Sequence, residues 1–183
     1  MLRSRSHSGA LVFFRAYYLL SFAVGYGIKA ADRNQLGIVF VLKIDQAGLA
    51  EICRHAEQAY PHECCGVLLG HFDGQVRRVT AVVSCRNTRE DSPQNRYHID
   101  PRELIRVQRE GRTRGMDIVG FYHSHPDHPS AWSPTDLTEA HWFGCSYVIT
   151  SVVQGKAGAT SSFELAGSDE YDKTFVEEEI EVS

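Results

Sequence analysis

The residues with the clearest chemical potential in this chain are His123 and His125, which lie in the segment HSHP and are followed by Ser133 and Asp136. Side chains alternate along an extended strand, so two histidines separated by one residue point to the same face. Two imidazoles and one carboxylate form a three-ligand set for Zn²⁺ that leaves the fourth position open for water. The pattern therefore predicts a hydrolytic zinc site rather than a structural one.

A zinc hydrolase also needs a general base that takes a proton from water and later returns it to the leaving group. No HExxH segment occurs in the chain, so the base must come from elsewhere. Glu63, in the segment PHECCG, is the candidate because it lies where a predicted helix meets an apolar strand. On spacing alone, Glu63 is one of several candidate acids. Ser133 is interpreted as the N-cap of a helix whose first turn holds Asp136, and its hydroxyl could also face a developing oxyanion.

Taken together, Glu63, the HSHP segment, Ser133 and Asp136 resemble the JAMM (MPN+) metalloprotease motif. That motif has a Glu, then HxHP, with seven residues between the second His and a Ser and two more between that Ser and an Asp. The resemblance covers about residues 38–166. It is strongest to short, single-domain prokaryotic members, among them peptidases that release cysteine from a ubiquitin-like sulfur carrier.

The resemblance implies one Zn²⁺ per chain, held by His123, His125 and Asp136, with water as the fourth ligand. It implies a metallopeptidase or isopeptidase that hydrolyses an amide bond at the C-terminus of a ubiquitin-like or sulfur-carrier protein by attack of zinc-activated water. Glu63 would protonate the leaving amine, and Ser133 would stabilise the oxyanion. Two alternatives stay open: a non-catalytic scaffold of the same fold, which would be expected to lose these residues, and a membrane-anchored version of the peptidase. A nucleobase deaminase is disfavoured because the chain has no PCxxC segment.

The order of apolar runs and turn signals predicts an α/β (mixed α+β) fold. Helices are predicted to begin near Asp45, Asp100 and Ser133, and the last of them is predicted to continue to about Phe143. Residues 85–99 are predicted to form a mobile polar loop or insertion. Strands are predicted at 37–43, 65–69, 76–84, 117–122, 146–153 and 161–166. The family resemblance implies a curved, mixed, largely antiparallel β-sheet flanked by about three helices, with MPN/JAB1-like and cytidine-deaminase-like layering.

Composition limits which classes of function and which cellular location fit the chain. The 183 residues suffice for one domain with a hydrophobic core, and the net charge of −4 implies no general affinity for nucleic acid. Five cysteines without a CxxC pair argue against a disulfide framework or a cysteine-rich zinc site, and they favour a reducing, cytoplasmic location. The oligomeric state is left open, with a dimer as one option.

The sequence predicts that the chain is divided into three segments. Residues 37–168 are assigned to the metalloprotease domain, and residues 169–183 to an acidic edge strand or tail. Residues 1–36 are assigned to a non-core extension, disordered or signal-like, because an apolar run over 11–28 follows Arg3 and Arg5. Arg15 interrupts that run, so membrane contact through residues 11–28 is the weaker interpretation.

Overall fold

The computed structural model of the protein describes residues 39–183. The assignment of residues 1–36 as an extension, and the membrane interpretation of residues 11–28, lie outside the described residues. Within residues 39–183, none of the helices combines the length and apolar character needed to cross a bilayer.

Residues 39–183 form one mixed sheet with three helices against it, which confirms the predicted fold class. The helices are α1 (Gln46–Ala59), α2 (Pro101–Thr113) and α3 (Pro134–Glu139). The strands are β1 (Val41–Ile44), β2 (Cys65–Asp73), β3 (Val76–Cys85), β4 (Asp117–Pro126), β5 (Ser146–Val153), β6 (Lys156–Ala166) and β7 (Thr174–Val182).

The strand order is β1-β3-β2-β4-β5-β6-β7, and β7 pairs back onto β1, so the curved sheet closes into a barrel. The pairs β1/β3, β1/β7 and β4/β5 are parallel, and the other four pairs are antiparallel. The sequence did not predict this closure, because the pairing of the first strand with the last joins segments more than 130 residues apart in the chain.

Each helix begins at the capping residue that the sequence predicted. The carboxylate of Asp45 accepts a hydrogen bond from the Gly48 backbone N–H at 2.7 Å, and Asp100 accepts one from Arg102 at the same distance. Helix α3 starts at Ser133 but ends at Glu139, because Ala140 is already extended. The prediction that this helix continues to about Phe143 is therefore wrong.

Strands β2 and β4 are buried on both faces, and alternate residues belong to two different cores. Cys65, Val67 and Leu69 face a cluster that includes residues of α2, whereas Cys64 and Leu68 face the cluster under α1. A strand buried on both faces has a nearly continuous apolar sequence. Two central strands packed in this way form a rigid support for any side chain at their ends.

The C-terminal strand differs from the predicted edge strand or tail. β7 pairs with both β6 and β1, so it has a neighbour on each side. Phe175 is buried, and the buried carboxylate of Glu178 pairs with Arg77 at 2.6 Å. The glutamates of β7 suggested an exposed strand. The sequence alone does not show that one of them, Glu178, is neutralised by a buried arginine.

Candidate active site

His123 and His125 lie inside β4, two residues apart on one face. The strand extends to Pro126, so the prediction that it ends at Tyr122, just before the histidines, is wrong. β2 flanks β4 on one side and β5 on the other, with Cys65 opposite His123 and Ser151 opposite His125. Both imidazoles are buried, and their Nε2 atoms are 3.0 Å apart. Backbone pairing on both sides of β4 thus fixes the two side chains toward one point.

Helix α3 brings Asp136 to the same point. Asp136 Oδ1 lies 3.3 Å from His123 Nε2, and Asp136 Oδ2 lies 3.5 Å from His125 Nε2. One ligand atom from each of the three residues can be chosen so that all lie within 4.8 Å of one another. Ligand atoms that bind tetrahedral Zn²⁺ at 2.0–2.2 Å are separated by about 3.3 Å from each other. The observed separations therefore fit a zinc ion in size and in donor type.

Electrostatics favour the metal-binding protonation states of His123 and Asp136, whereas the contacts of His125 with Asp136 and Pro129 outweigh its burial and raise its pKa. Burial lowers the pKa of His123, which favours the neutral imidazole that ligates metal ions. Burial alone would raise the pKa of Asp136, but hydrogen bonds with His123 and His125 outweigh it and hold that pKa well below its usual range. His125 Nδ1 lies 2.9 Å from the Pro129 carbonyl oxygen, so Nδ1–H donates there and leaves the Nε2 lone pair facing the cluster.

Glu63 immediately precedes β2, and its carboxyl group is close enough to His125 and Asp136 to interact with their charges. The Ser124 N–H donates to the Cys64 carbonyl at 3.2 Å, and the Cys64 N–H donates to Ser124 Oγ at 2.9 Å, which continues the alignment of the two strands beyond Cys65. Side-chain alternation then puts Glu63 on the same face as Cys65 and the two histidines. The carboxyl group of Glu63 is therefore on the side of the candidate ligands.

The environment of the Glu63 carboxyl group is unusual for a structural residue. The side chain is only 4% exposed, and its Oε2 atom has no hydrogen-bond partner among the described residues. Burial raises the pKa of Glu63 to about 8, although the nearby His125 acts in the opposite direction. A buried polar atom without a partner is costly, and such atoms are found where a site is completed by water, an ion or substrate.

Ser133 is the N-cap of α3 and forms a capping box with Asp136. The Asp136 N–H donates to Ser133 Oγ at 3.2 Å, and the Ser133 N–H donates to Asp136 Oδ2 at 2.6 Å. Because the hydroxyl oxygen accepts the capping bond, its own proton stays available for another acceptor. The two roles that the sequence suggested for Ser133 are thus geometrically compatible.

Sequence reasoning missed the part played by residues 86–100. Tyr97 from this segment stacks on the His123 ring, with centroids 4.7 Å apart and planes inclined by 28°. The pattern Tyr97-x-Ile99 within an otherwise polar stretch was the available signal, since both side chains pack against the core. Arg89 and Arg96 of this segment both pair with Glu139. Two of its positive charges are therefore balanced within the chain, so they do not require an acidic partner protein.

Comparisons with known proteins bear on this site. Residues 45–166 match the family described as prokaryotic homologs of the JAB domain. The chain is 41% identical over 91 residues to a desampylase of Haloferax volcanii, a match covering 50% of this chain and 63% of that protein. It is 31% identical over 102 residues to a probable TtuB-protein conjugate cleaving protease of Thermus thermophilus, covering 56% and 65%. The matched region spans less than two thirds of the length of either relative.

The fold also has a counterpart among solved structures. A solution structure of a protein from Desulfitobacterium hafniense superposes with a TM-score of 0.67 at 31% sequence identity, covering 79% of this chain and 93% of that one.

Proposed function

The chain belongs to the prokaryotic JAB family, and on that premise we propose that it is a zinc-dependent JAMM-type metallopeptidase. Its reaction would be hydrolysis of an amide or isopeptide bond at the C-terminus of a ubiquitin-like or sulfur-carrier protein. The observation that carries the proposal is the group of His123, His125 and Asp136, with donor atoms 3.0–3.5 Å apart, on the same side of the sheet as the buried carboxyl of Glu63.

One Zn²⁺ per chain would be held by His123 Nε2, His125 Nε2 and a carboxylate oxygen of Asp136. When bound, zinc supplies a Lewis acid that polarises a carbonyl group and lowers the pKa of water toward 7. Other groups of the protein orient the ligands. The hydrogen bond from His125 Nδ1–H to the Pro129 carbonyl keeps one ligand ring in its binding tautomer, and the capping box keeps the Asp136 carboxylate in place.

Glu63 would take a proton from the attacking water and deliver it to the leaving amine. A carboxyl group with a pKa near neutrality is suited to both steps, since it accepts and releases a proton without a large cost in either direction. The Ser133 hydroxyl would donate its free proton to the oxyanion that forms at the attacked carbonyl. No covalent intermediate on the protein is required.

The proposed substrate class follows from the relatives. Two proteins that match this chain are named for removing or cleaving conjugates, and one of those names specifies a protein conjugate as the substrate. We extend that class to this chain and place the activity in the cytoplasm, where five free thiols would stay reduced. A non-catalytic scaffold is the competing function, but a scaffold gives no reason for keeping an unpartnered carboxyl group buried on the same side of the sheet as three metal-binding side chains.

The test is cleavage of a ubiquitin-like protein ending in Gly-Gly, joined either linearly or through a lysine isopeptide bond to a reporter. We expect turnover with zinc and none after chelation. Glu63→Gln should lower turnover by roughly 10²-fold or more while retaining zinc, because only the proton carrier is lost. Glu90→Gln, at an exposed glutamate, is the matched control and should retain full activity.

Two ligand variants complete the test. His123→Ala and Asp136→Ala should each lower the zinc content measured by elemental analysis. Stoichiometric zinc in both variants would refute the ligand assignment. Full zinc binding without cleavage of any conjugate would instead favour the scaffold.

A further inference from the structure

The two candidate histidine ligands are oriented by different contacts. His125 is fixed by the hydrogen bond between its Nδ1 and the Pro129 carbonyl. Besides its contacts with the other two candidate ligands, His125 and Asp136, His123 has the Tyr97 ring stacked on its face with centroids 4.7 Å apart. A histidine in a strand rotates about its Cβ–Cγ bond unless something restricts the ring, and that rotation decides where Nε2 points. A flat aromatic ring stacked on the imidazole, with its plane inclined by 28°, restricts that rotation.

The backbone on both sides of Tyr97 is bound by the side chain of Asn87. Asn87 Nδ2 donates to the carbonyl oxygen of Arg96 at 3.1 Å, and Asn87 Oδ1 accepts from the N–H of His98 at 3.2 Å. The residues on both sides of Tyr97 are therefore bound to the same amide group. The Thr88 N–H adds a further bond to the His98 carbonyl at 2.9 Å. The segment 86–98 lies within residues 85–99, which the sequence predicted to be mobile, yet hydrogen bonds fix its backbone on both sides of Tyr97.

The same segment also holds the candidate base. Asn87 Nδ2 donates to the Glu63 carbonyl oxygen at 3.1 Å, and the Glu63 N–H donates to the Pro93 carbonyl at 2.7 Å. Both backbone polar groups of Glu63 are thus bound by residues of the segment 86–98. One short segment connects the residue proposed to carry the proton with the ring of a proposed ligand.

We infer that Tyr97 is a positioning residue for metal binding, and that its ring, held in place by Asn87, fixes the orientation of the His123 imidazole. This inference rests on the proposed metal site. The ring face acts here rather than the phenol hydroxyl, so phenylalanine should replace tyrosine without loss. Stacked aromatic pairs contribute about 0.5–1.5 kcal/mol beyond their burial, which corresponds to a change of roughly two- to tenfold in affinity.

The experiment measures metal affinity, with Zn²⁺ and Co²⁺ titrated against a chromophoric chelator in the full-length protein. Tyr97→Leu is expected to weaken affinity by roughly two- to tenfold and to change the Co²⁺ absorption spectrum, which reports ligand geometry. Tyr97→Phe is expected to bind within the error of the unmodified protein. Phe163→Leu removes an aromatic ring from the same core, away from the histidines, and controls for general loss of packing.

Equal affinity in Tyr97→Leu and Tyr97→Phe would overturn the inference. So would an equal loss of affinity in Phe163→Leu, since that result would make Tyr97 an ordinary core residue. Because the readout is metal binding, a protein that binds zinc but cleaves no conjugate would count against the proposed activity and not against this role of Tyr97.

Discussion

At the scale of single residues, Ser133 has two roles that different substitutions separate. Ser133→Ala removes both the cap and the hydroxyl donor, whereas Ser133→Gly preserves most of the capping free energy and removes only the donor. We expect alanine to lower the free energy of unfolding by about 1 kcal/mol and glycine by a few tenths. Both should lower turnover by roughly 10²–10³-fold if the hydroxyl stabilises the oxyanion. Denaturant unfolding and conjugate cleavage measure the two effects, and normal turnover in the glycine variant would leave Ser133 as a cap alone.

Glu63 gives a pH-dependent prediction for the metal-free protein. Its pKa is about 8 in the folded chain, against 4.5 for an ordinary glutamate, so the folded state binds the proton more tightly. The free energy of unfolding should therefore fall as pH rises from about 4.5 through about 8. Glutamine cannot ionise, so the free energy of unfolding of Glu63→Gln should not show this fall. Over that pH range, it should rise by a few kcal/mol relative to that of the unmodified protein. Parallel stability curves from pH 5 to pH 9, with chelator present, would contradict the buried, unpartnered state of this carboxyl group.

The residues of the candidate site were predictable to different degrees. His123, His125 and Asp136 meet because a strand and a helix cap place them by local rules, and the structure brings them together, although their metal binding stays a prediction. The sequence could not show that Tyr97 lies on His123. That contact depends on the four hydrogen bonds of the Asn87 amide, which join positions up to 24 residues apart. Helices and strands have a sequence periodicity that predicts which side chains share a face, but a loop has none, so its side-chain contacts cannot be predicted in this way.

At the scale of elements, α3 is the shortest helix or strand that carries a site residue, with only six residues. A helix this short is unstable without tertiary contacts. Lys173, on the turn before β7, donates from Nζ to the carbonyl oxygens of Thr138 and Ala140 at 3.0 and 2.9 Å. The lysine, which also pairs with Glu170, thus provides two hydrogen bonds from a charged donor at the C-terminal end of α3, where the helix dipole favours a cation. A residue from the C-terminal segment therefore helps to hold the helix that presents Asp136.

Lys173→Met should lower the free energy of unfolding by roughly 2 kcal/mol, because two carbonyl groups lose a charged donor. It should also weaken metal affinity, since the Asp136 carboxylate is then less well fixed. Lys156→Met removes an exposed lysine and is the control. Denaturant unfolding with and without zinc separates the two effects. If Lys173→Met and Lys156→Met behave alike in both measurements, Lys173 does not stabilise α3.

At the scale of the whole molecule, the closed sheet decides which residues belong to the domain. The assignment of residues 37–168 as the metalloprotease domain, with 169–183 set apart, was drawn from the family motif, and the family match likewise ends at residue 166. Yet β7 lies between β6 and β1, and the buried side chain of Glu178 pairs with the buried Arg77. We therefore propose a domain that extends through Val182, with the N-terminal boundary near residue 37 unchanged.

Two truncations test that boundary. A chain that ends at residue 168 loses β7, exposes the edges of β1 and β6, and leaves Arg77 with one carboxylate partner, Glu164, in place of two. Breaking a buried charge pair alone costs about 3–5 kcal/mol, a large share of the stability of a typical domain. We expect this chain to lose cooperative thermal unfolding and dispersed amide resonances. A chain that starts at residue 37 should keep both and should bind zinc normally. Cooperative unfolding after removal of β7 would show that the closure is dispensable, and the smaller domain would then be correct.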